Sequence, residues 1–255
     1  MEWLAAVDGY CERLGPAYWA EPLNAVTNVG FVIVAAVMWA RTVGLARAVG
    51  LARAAGMARR VGLARTAGPA RTAGPARTVG LARAMCAVLG LIGVGSYLFH
   101  THANRLTGVF DVVPILGFIL LYVFAASRDL LGLRSWRAGL CVIAFIPYAA
   151  ATVPLWGMVP GLGSSAGYMP VPVLILFYAW LMRADRATSR GLAIGAGLLI
   201  VSLAFRTLDA PLCAAVPVGT HFIWHLLNAA MLGWMIEVYL RHGVAGSLAA
   251  GGARG

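Results

Sequence analysis

The chain has 255 residues, of which 61% are hydrophobic and only 11% are charged, with a mean hydropathy of +0.82. Soluble globular domains carry about 25% charged residues, so this composition excludes an ordinary soluble protein and predicts an integral membrane protein. The net charge of +11 does not indicate a nucleic-acid partner, because nine of the 20 basic residues lie in one repetitive stretch and the other 11 face nine acidic residues.

The chain begins with an acidic segment, residues 1–21, which lacks the basic and apolar regions of a signal peptide. Asp8, Glu12, Glu21 and the nearby Asn24 bring oxygen ligands of the kind that calcium prefers. Their irregular spacing is not that of an EF-hand loop, and acidic residues before a helix are commonly solvated or cap the helix. Calcium binding and helix capping are therefore both open interpretations of this segment.

Residues 41–83 repeat the pattern Arg-x-x-Gly-x-Ala with a period of six. Successive Arg residues do not share a helix face at this period, and each Gly costs a helix roughly 1 kcal/mol relative to Ala. The repeat is therefore predicted to be a disordered insertion in a loop. The alternative is a basic arm that binds anionic lipid headgroups.

The rest of the chain contains seven apolar segments that are long enough to span a membrane with modest trimming. They are residues 22–40, 84–101, 109–127, 136–154, 167–182, 191–206 and 220–240. The sequence thus predicts an all-α, multi-pass bundle of seven transmembrane helices. Residues 22–40 and 84–240 form this membrane domain, and residues 241–255 form a C-terminal tail.

Arg residues are concentrated in alternate loops, which predicts that the N-terminus lies outside the cytoplasm and the C-terminus inside. In this orientation the second segment ends outside, close to His100. The third segment begins outside, close to Asp111, and the seventh begins outside with His221 and His225. Three segments that are distant in sequence therefore carry their unusual polar residues to one leaflet.

These polar residues have the spacing of a metal site. His221 and His225 are four residues apart, as are Ser96 and His100, so each pair shares one helix face. Three imidazoles, His100, His221 and His225, are the ligand set of a catalytic zinc ion with one open position. A single membrane histidine is more simply a residue that hydrogen-bonds between helices, but three at one depth beside a carboxylate favour a metal.

The other two polar residues suit hydrolysis at such a metal. Asp111 has the chemistry of a general base, and Ser96 that of a hydrogen-bond donor to an oxyanion. Each also has a simpler interpretation. Asp111 is favoured near a helix N-terminus by the helix dipole, and Ser96 can bond to its own helix backbone.

The chain resembles the alkaline ceramidase family of seven-helix membrane hydrolases over most of its length apart from the repeat. The resemblance rests on CysGlu at 11–12, GluProLeuAsnAlaValThrAsn at 21–28, GlySerTyrLeuPheHis at 95–100 followed by Asp111, and HisPheIleTrpHis at 221–225. It implies an intramembrane zinc held by the three histidines, catalysis by Ser96 and Asp111, and a calcium site formed by Glu12 and Glu21 with Asp8 and Asn24. The segment around Glu12 is less acidic than in eukaryotic members.

The expected activity is zinc-dependent hydrolysis of the amide bond of ceramide-like lipids in a bacterial inner membrane, giving a fatty acid and a sphingoid-type amine. One alternative is a related hydrolase with another lipid amide or ester as its substrate. A second alternative is a non-enzymatic seven-helix receptor or a transporter, but a transporter is expected to line its path across the membrane with polar residues.

The chain has four cysteines. Cys11 and Cys213 lie outside the apolar segments, on the side of the membrane that is predicted to be non-cytoplasmic. That side permits disulfides. The resemblance brings the N-terminal segment close to the beginning of the seventh helix, so a Cys11–Cys213 disulfide is expected. Cys86 and Cys141 lie in apolar segments and are expected to be buried free thiols.

Overall fold

The computed structural model describes residues 2–60 and 75–252, and within these ranges the chain forms eight α-helices and no β-strand. Short 3₁₀ helices cover Glu2–Leu4 and Gly163–Tyr168, and a π-helix covers Ala126–Leu130. The α-helices are α1 (Pro22–Thr27), α2 (Val29–Arg60), α3 (Pro75–His102), α4 (Arg105–Ala125), α5 (Ser135–Gly157), α6 (Pro170–Leu181), α7 (Arg186–Leu212) and α8 (His221–Gly252).

Six helical stretches in the described part of the chain are long and apolar enough to cross a membrane, so the chain is an all-α, multi-pass membrane protein. The predicted segment at 167–182 falls in a shorter apolar helical stretch, Ser165–Leu181. Six of the seven predicted segments are thus matched by helices of spanning length, and the total of seven crossings stays a prediction.

The helices extend further into the Arg repeat than its composition predicts. α2 continues to Arg60 and α3 begins at Pro75, although the insertion was expected to be disordered from 41 to 83. Ala, Leu and Arg are strong helix formers, so each membrane helix propagates into the repeat despite its glycines. Where the two helices leave the bundle, Arg83 Nε donates a 3.2 Å hydrogen bond to the buried Thr42 hydroxyl. Residues 61–74 lie outside the described residues.

The bundle is organised around α3 and α8. α3 packs against α2, α4 and α8, while α7 packs between α6 and α8. Fully buried apolar side chains such as Leu89 on α3 and Ile236 on α8 form the core between these helices. α5 packs against α4 and exposes large apolar side chains, including Ile143 and Ile146, as a lipid-facing helix does.

Two glycines allow α3 to approach its neighbours closely. A Cβ at Gly93 would lie 2.9 Å from the backbone oxygen of Asn28, and a Cβ at Gly95 would overlap the backbone oxygen of Phe110. Small residues are the usual means of close helix contact in membranes. The contact at Gly95 brings together the next residue on each helix, Ser96 on α3 and Asp111 on α4.

The N-terminal segment crosses the end of the bundle where α3 stops and α4 starts. Val7 donates a backbone hydrogen bond of 2.8 Å to Ala103, and Arg105 donates one of 3.1 Å to Ala5. Further along, a disulfide joins Cys11 to Cys213 after α7, which confirms the expected pairing. Cys86 and Cys141 are free, as expected, but only Cys86 is buried, and Cys141 is half-buried. The segment is therefore attached to both sides of the same end of the bundle.

The glycine contact gives the first prediction. Gly95→Ala should lower the free energy of unfolding by about 1–3 kcal/mol, because the added methyl group forces α3 and α4 apart. Gly90→Ala is the matched control, since its Cβ would lie 3.9 Å from that of Ala35. Thermal unfolding of both proteins in detergent tests the difference. Equal stability of the two variants would show that the helices are not in contact at Gly95.

Candidate metal centre

Three histidines from two helices meet at the end of the bundle beneath the N-terminal segment. His100 lies in the last turn of α3, and His221 and His225 occupy the first two turns of α8. One ring nitrogen from each lies within 4.8 Å of the other two, and all three side chains are fully buried. The structure therefore brings together the three ligands predicted from spacing.

The orientation of His100 is set by a buried carboxylate. Its Nδ1 lies 2.6 Å from Glu21 Oε2, and Glu21 also accepts hydrogen bonds from Arg13 Nε and Asn24 Nδ2. Burial by itself raises the pKa of Glu21, but the hydrogen bonds from His100, Arg13 and Asn24 outweigh burial and hold this pKa below its ordinary value. Because an ionised carboxylate only accepts, Nδ1 of His100 donates to Glu21, and in the neutral ring Nε2 is the nitrogen with a free electron pair.

His225 is oriented in the same way by a hydroxyl group. Thr27 Oγ1 donates to the backbone oxygen of Leu23 at 2.7 Å and lies 3.0 Å from His225 Nδ1. Since the hydroxyl proton is used in the first contact, Nδ1 of His225 is the donor in the second. Nε2 of His225 is then an acceptor, like Nε2 of His100.

His221 is held by stacking. Its ring stacks on Tyr10 with centroids 3.8 Å apart and on Trp224 with centroids 5.0 Å apart. Burial raises the pKa of Tyr10, so its phenol is neutral above the imidazole. The N-terminal segment thus contributes a ring that covers the histidine group.

The three imidazoles fit a metal ion. His100 Nε2, His225 Nε2 and His221 Nδ1 are buried and have no hydrogen-bond partner in the described part of the chain. Buried polar atoms without a partner are costly, and neutral imidazole nitrogens held in one orientation by outer hydrogen bonds are the donors that zinc prefers. The Glu21–His100 contact is the carboxylate–histidine arrangement found around metal ligands.

Ser96 and Asp111 lie beside the histidine group. Ser96 is one turn before His100 on α3, and Asp111 is at the second turn of α4, across the glycine contact. Both side chains are buried. Ser96 Oγ and Asp111 Oδ1 form no hydrogen bond of ordinary geometry among the described residues, but the two side chains interact with each other across the helix contact.

Three of the four residues predicted to bind calcium are in contact, since Asn24 donates its backbone N–H to Glu12 and its side-chain amide to Glu21, at 3.1 Å. Glu12 accepts hydrogen bonds from the backbone nitrogens of Leu23, at 2.6 Å, and Asn24, at 2.8 Å, and so caps the N-terminus of α1. Glu21 and Asn24 are buried next to His100, whereas Asp8 is exposed. The capping alternative is thus seen for Glu12, and calcium binding stays a prediction.

A buried carboxylate not singled out in the sequence positions the start of α8. Asp209 accepts hydrogen bonds from the backbone nitrogens of Thr220, at 2.6 Å, and His221, at 2.9 Å, with one oxygen, and from Cys11 N, at 3.1 Å, with the other. Gly219 has a positive φ of 67°, and a Cβ there would overlap the Asp209 carboxylate. Asp209 therefore joins α7, α8 and the disulfide-linked N-terminal segment at one point.

An apolar cavity leads away from the histidines into the bundle. It is open on one side, and its wall is almost entirely apolar. Arg206 lies near it, with Cζ 5.2 Å from the ring centroid of Tyr168 and 5.7 Å from that of Trp224. The residues lining the cavity come from α4, α6, α7 and α8 and include Ile115, Phe118, Tyr122, Ala126, Ile175, Leu199, Asn228, Met231 and Met235.

The metal prediction is tested by single replacements. His100→Ala, His221→Ala or His225→Ala should each abolish tight zinc binding, because three protein ligands are the minimum of a catalytic site. His102→Ala is the control, since this exposed histidine is one of the two outside the group. Metal analysis of the purified proteins gives the readout. Full zinc content in any one of the three alanine proteins would remove that residue from the ligand set.

Glu21 should tune the site without being a ligand. Glu21→Gln should weaken metal affinity about 10–100-fold, as loss of an orienting partner does, because an uncharged amide holds His100 less firmly. Glu2→Gln, a change at an exposed acid, is the control. Competition with a chromophoric chelator measures both affinities. An unchanged metal affinity in Glu21→Gln would show that the Glu21 carboxylate neutralises Arg13 but does not orient His100 for metal binding.

Comparison with known proteins assigns no family to the chain. Neither the protein-family models nor the curated proteins include a match to this sequence. Its function is therefore argued from the histidine group, the two polar residues beside it, the cavity and the sequence motifs.

Proposed function

We propose that the protein is a zinc-dependent membrane hydrolase that cleaves the amide bond of ceramide-like lipids to a fatty acid and a sphingoid-type amine. The observation that carries this proposal is a group of three buried imidazoles with unpartnered nitrogens beside Ser96 and Asp111, together with an apolar cavity that is lined by Trp224, the ring stacked on His221. A ligand set, a base, a hydroxyl donor and a place for a lipid chain thus occur together.

Zinc held by His100, His221 and His225 would supply a Lewis acid that makes water more acidic and polarises a carbonyl group. The chain supplies the rest of the chemistry. Asp111 accepts the proton of the attacking water with its unpartnered carboxylate oxygen and delivers it to the leaving amine. The Ser96 hydroxyl donates a hydrogen bond to the oxygen that becomes negative in the transition state.

The cavity supports a lipid substrate. Its wall runs from Ile115 on α4, one turn beyond Asp111, to Ala126 at the start of the π-helix, a length of about 16 Å along a helix. This is about half of the ~30 Å hydrocarbon core of a bilayer, so it matches one lipid chain. A chain in the cavity brings its carbonyl end to the histidine group.

The same features weigh against the other candidates. A transporter needs hydrated or polar groups along its path, whereas the wall of this cavity is predominantly apolar. An ester or another lipid amide would use the same residues, so the ceramide-like substrate depends on the resemblance of the motifs at 11–28, 95–111 and 221–225 to alkaline ceramidases. Product analysis with a ceramide and a diacyl ester of equal chain length separates these substrates.

The role of Asp111 gives a direct test. Asp111→Asn should retain zinc but lose turnover of a short-chain ceramide by about 10²–10⁴-fold, because an amide cannot accept the proton. Asp185→Asn is the matched control, since Asn preserves the cap that Asp185 provides to α7. Fatty-acid release and metal content are measured on the same preparations. Normal turnover by Asp111→Asn would show that this carboxylate is structural.

A further inference from the structure

The cavity wall contains polar atoms that the chain does not satisfy. Tyr122 Oη, Trp224 Nε1 and Asn228 Oδ1 are buried and have no hydrogen-bond partner within the described ranges, although all three residues line the cavity. Leaving such atoms without a partner is unfavourable in apolar surroundings. A purely hydrocarbon occupant would leave these three atoms without a hydrogen-bond partner, and the proposed mechanism does not use them.

Asn228 is placed close to the reacting group. It lies three residues after His225 on α8, so the two side chains share a helix face and are separated by about 4.5 Å along the axis. The following cavity residues on α8 are Met231, Leu232 and Met235, which cannot form strong hydrogen bonds. Tyr122 is eleven residues after Asp111, about 16 Å along α4, and is too deep to bind the same group.

We propose that Asn228 is a specificity-determining residue that binds a hydroxyl group on the acyl chain, within the first few carbons after the carbonyl. The Asn228 carbonyl accepts the hydroxyl proton, and its amide nitrogen donates to the hydroxyl oxygen. A neutral hydroxyl fits because an ionised group would lose its hydration in this apolar wall. The inference rests on the proposed function in placing the acyl carbonyl at the histidine group.

The proposal is tested by binding, independently of turnover. Purified protein is titrated with tetradecanoic acid and with its 2-hydroxy and 3-hydroxy derivatives, using displacement of a fluorescent fatty acid. We expect at least one hydroxy acid to bind about tenfold more tightly than the unsubstituted acid, and Asn228→Leu to abolish that preference. Met38→Leu, a volume-conserving change in the core outside the cavity wall, should retain it. If Asn228→Leu does not fold, Asn228→Ala takes its place.

Two results would overturn the inference. Equal affinities for the three acids in the wild-type protein would mean that water, and not a hydroxyl group of the ligand, forms the hydrogen bonds of the Asn228 side chain. Preference for a long-chain amino alcohol that depends on Asn228, without preference among the acids, would assign Asn228 to the amine side of the lipid. Failure of the proposed function is distinguishable, because it appears as absent amide cleavage with the hydroxy-acid preference unchanged.

Discussion

The arrangement of the site depends on one buried carboxylate. Glu21 links Arg13 of the N-terminal segment to His100 at the end of α3. A buried charge is tolerated only when it is paired and hydrogen-bonded. Glu21 has these partners only when the N-terminal segment, α1 and α3 are assembled together. Arg13 adds a second connection by donating a 2.9 Å hydrogen bond to the backbone oxygen of His100. One carboxylate thus fixes an imidazole and closes the end of the bundle.

The histidine group could be predicted from sequence because its signals are local or follow from topology. The spacing of four residues places His221 and His225 on one helix face, and the alternation of helix directions brings His100 to the same end. Asp111 follows from the same argument. The Cys11–Cys213 pairing required the family resemblance in addition to the predicted topology. The number of spanning helices is predicted less directly, because α6 is strongly apolar but, at 12 residues, shorter than a helix that crosses a bilayer.

The groups that orient the histidines could not be predicted in the same way. Arg13, Thr27 and Tyr10 act through contacts with residues 87 to 211 positions away in the chain, and no local pattern marks them. Asp209 gave one weak signal, an acid at the end of an apolar segment, which is equally typical of a solvated helix end. Glu21 was identified as a metal ligand but not as the partner of His100, because oxygen chemistry alone does not distinguish the two roles.

The division of the ligands between α3 and α8 has a consequence for biosynthesis. α8 follows all the other described helices in the chain and carries two of the three imidazoles. Until α8 enters the membrane, the bundle offers one histidine of the group, which is too few to hold an ion. Under the proposed function, zinc binding and lipid hydrolysis would therefore begin only when the bundle is complete, and an unfinished chain would be inert toward the lipids around it.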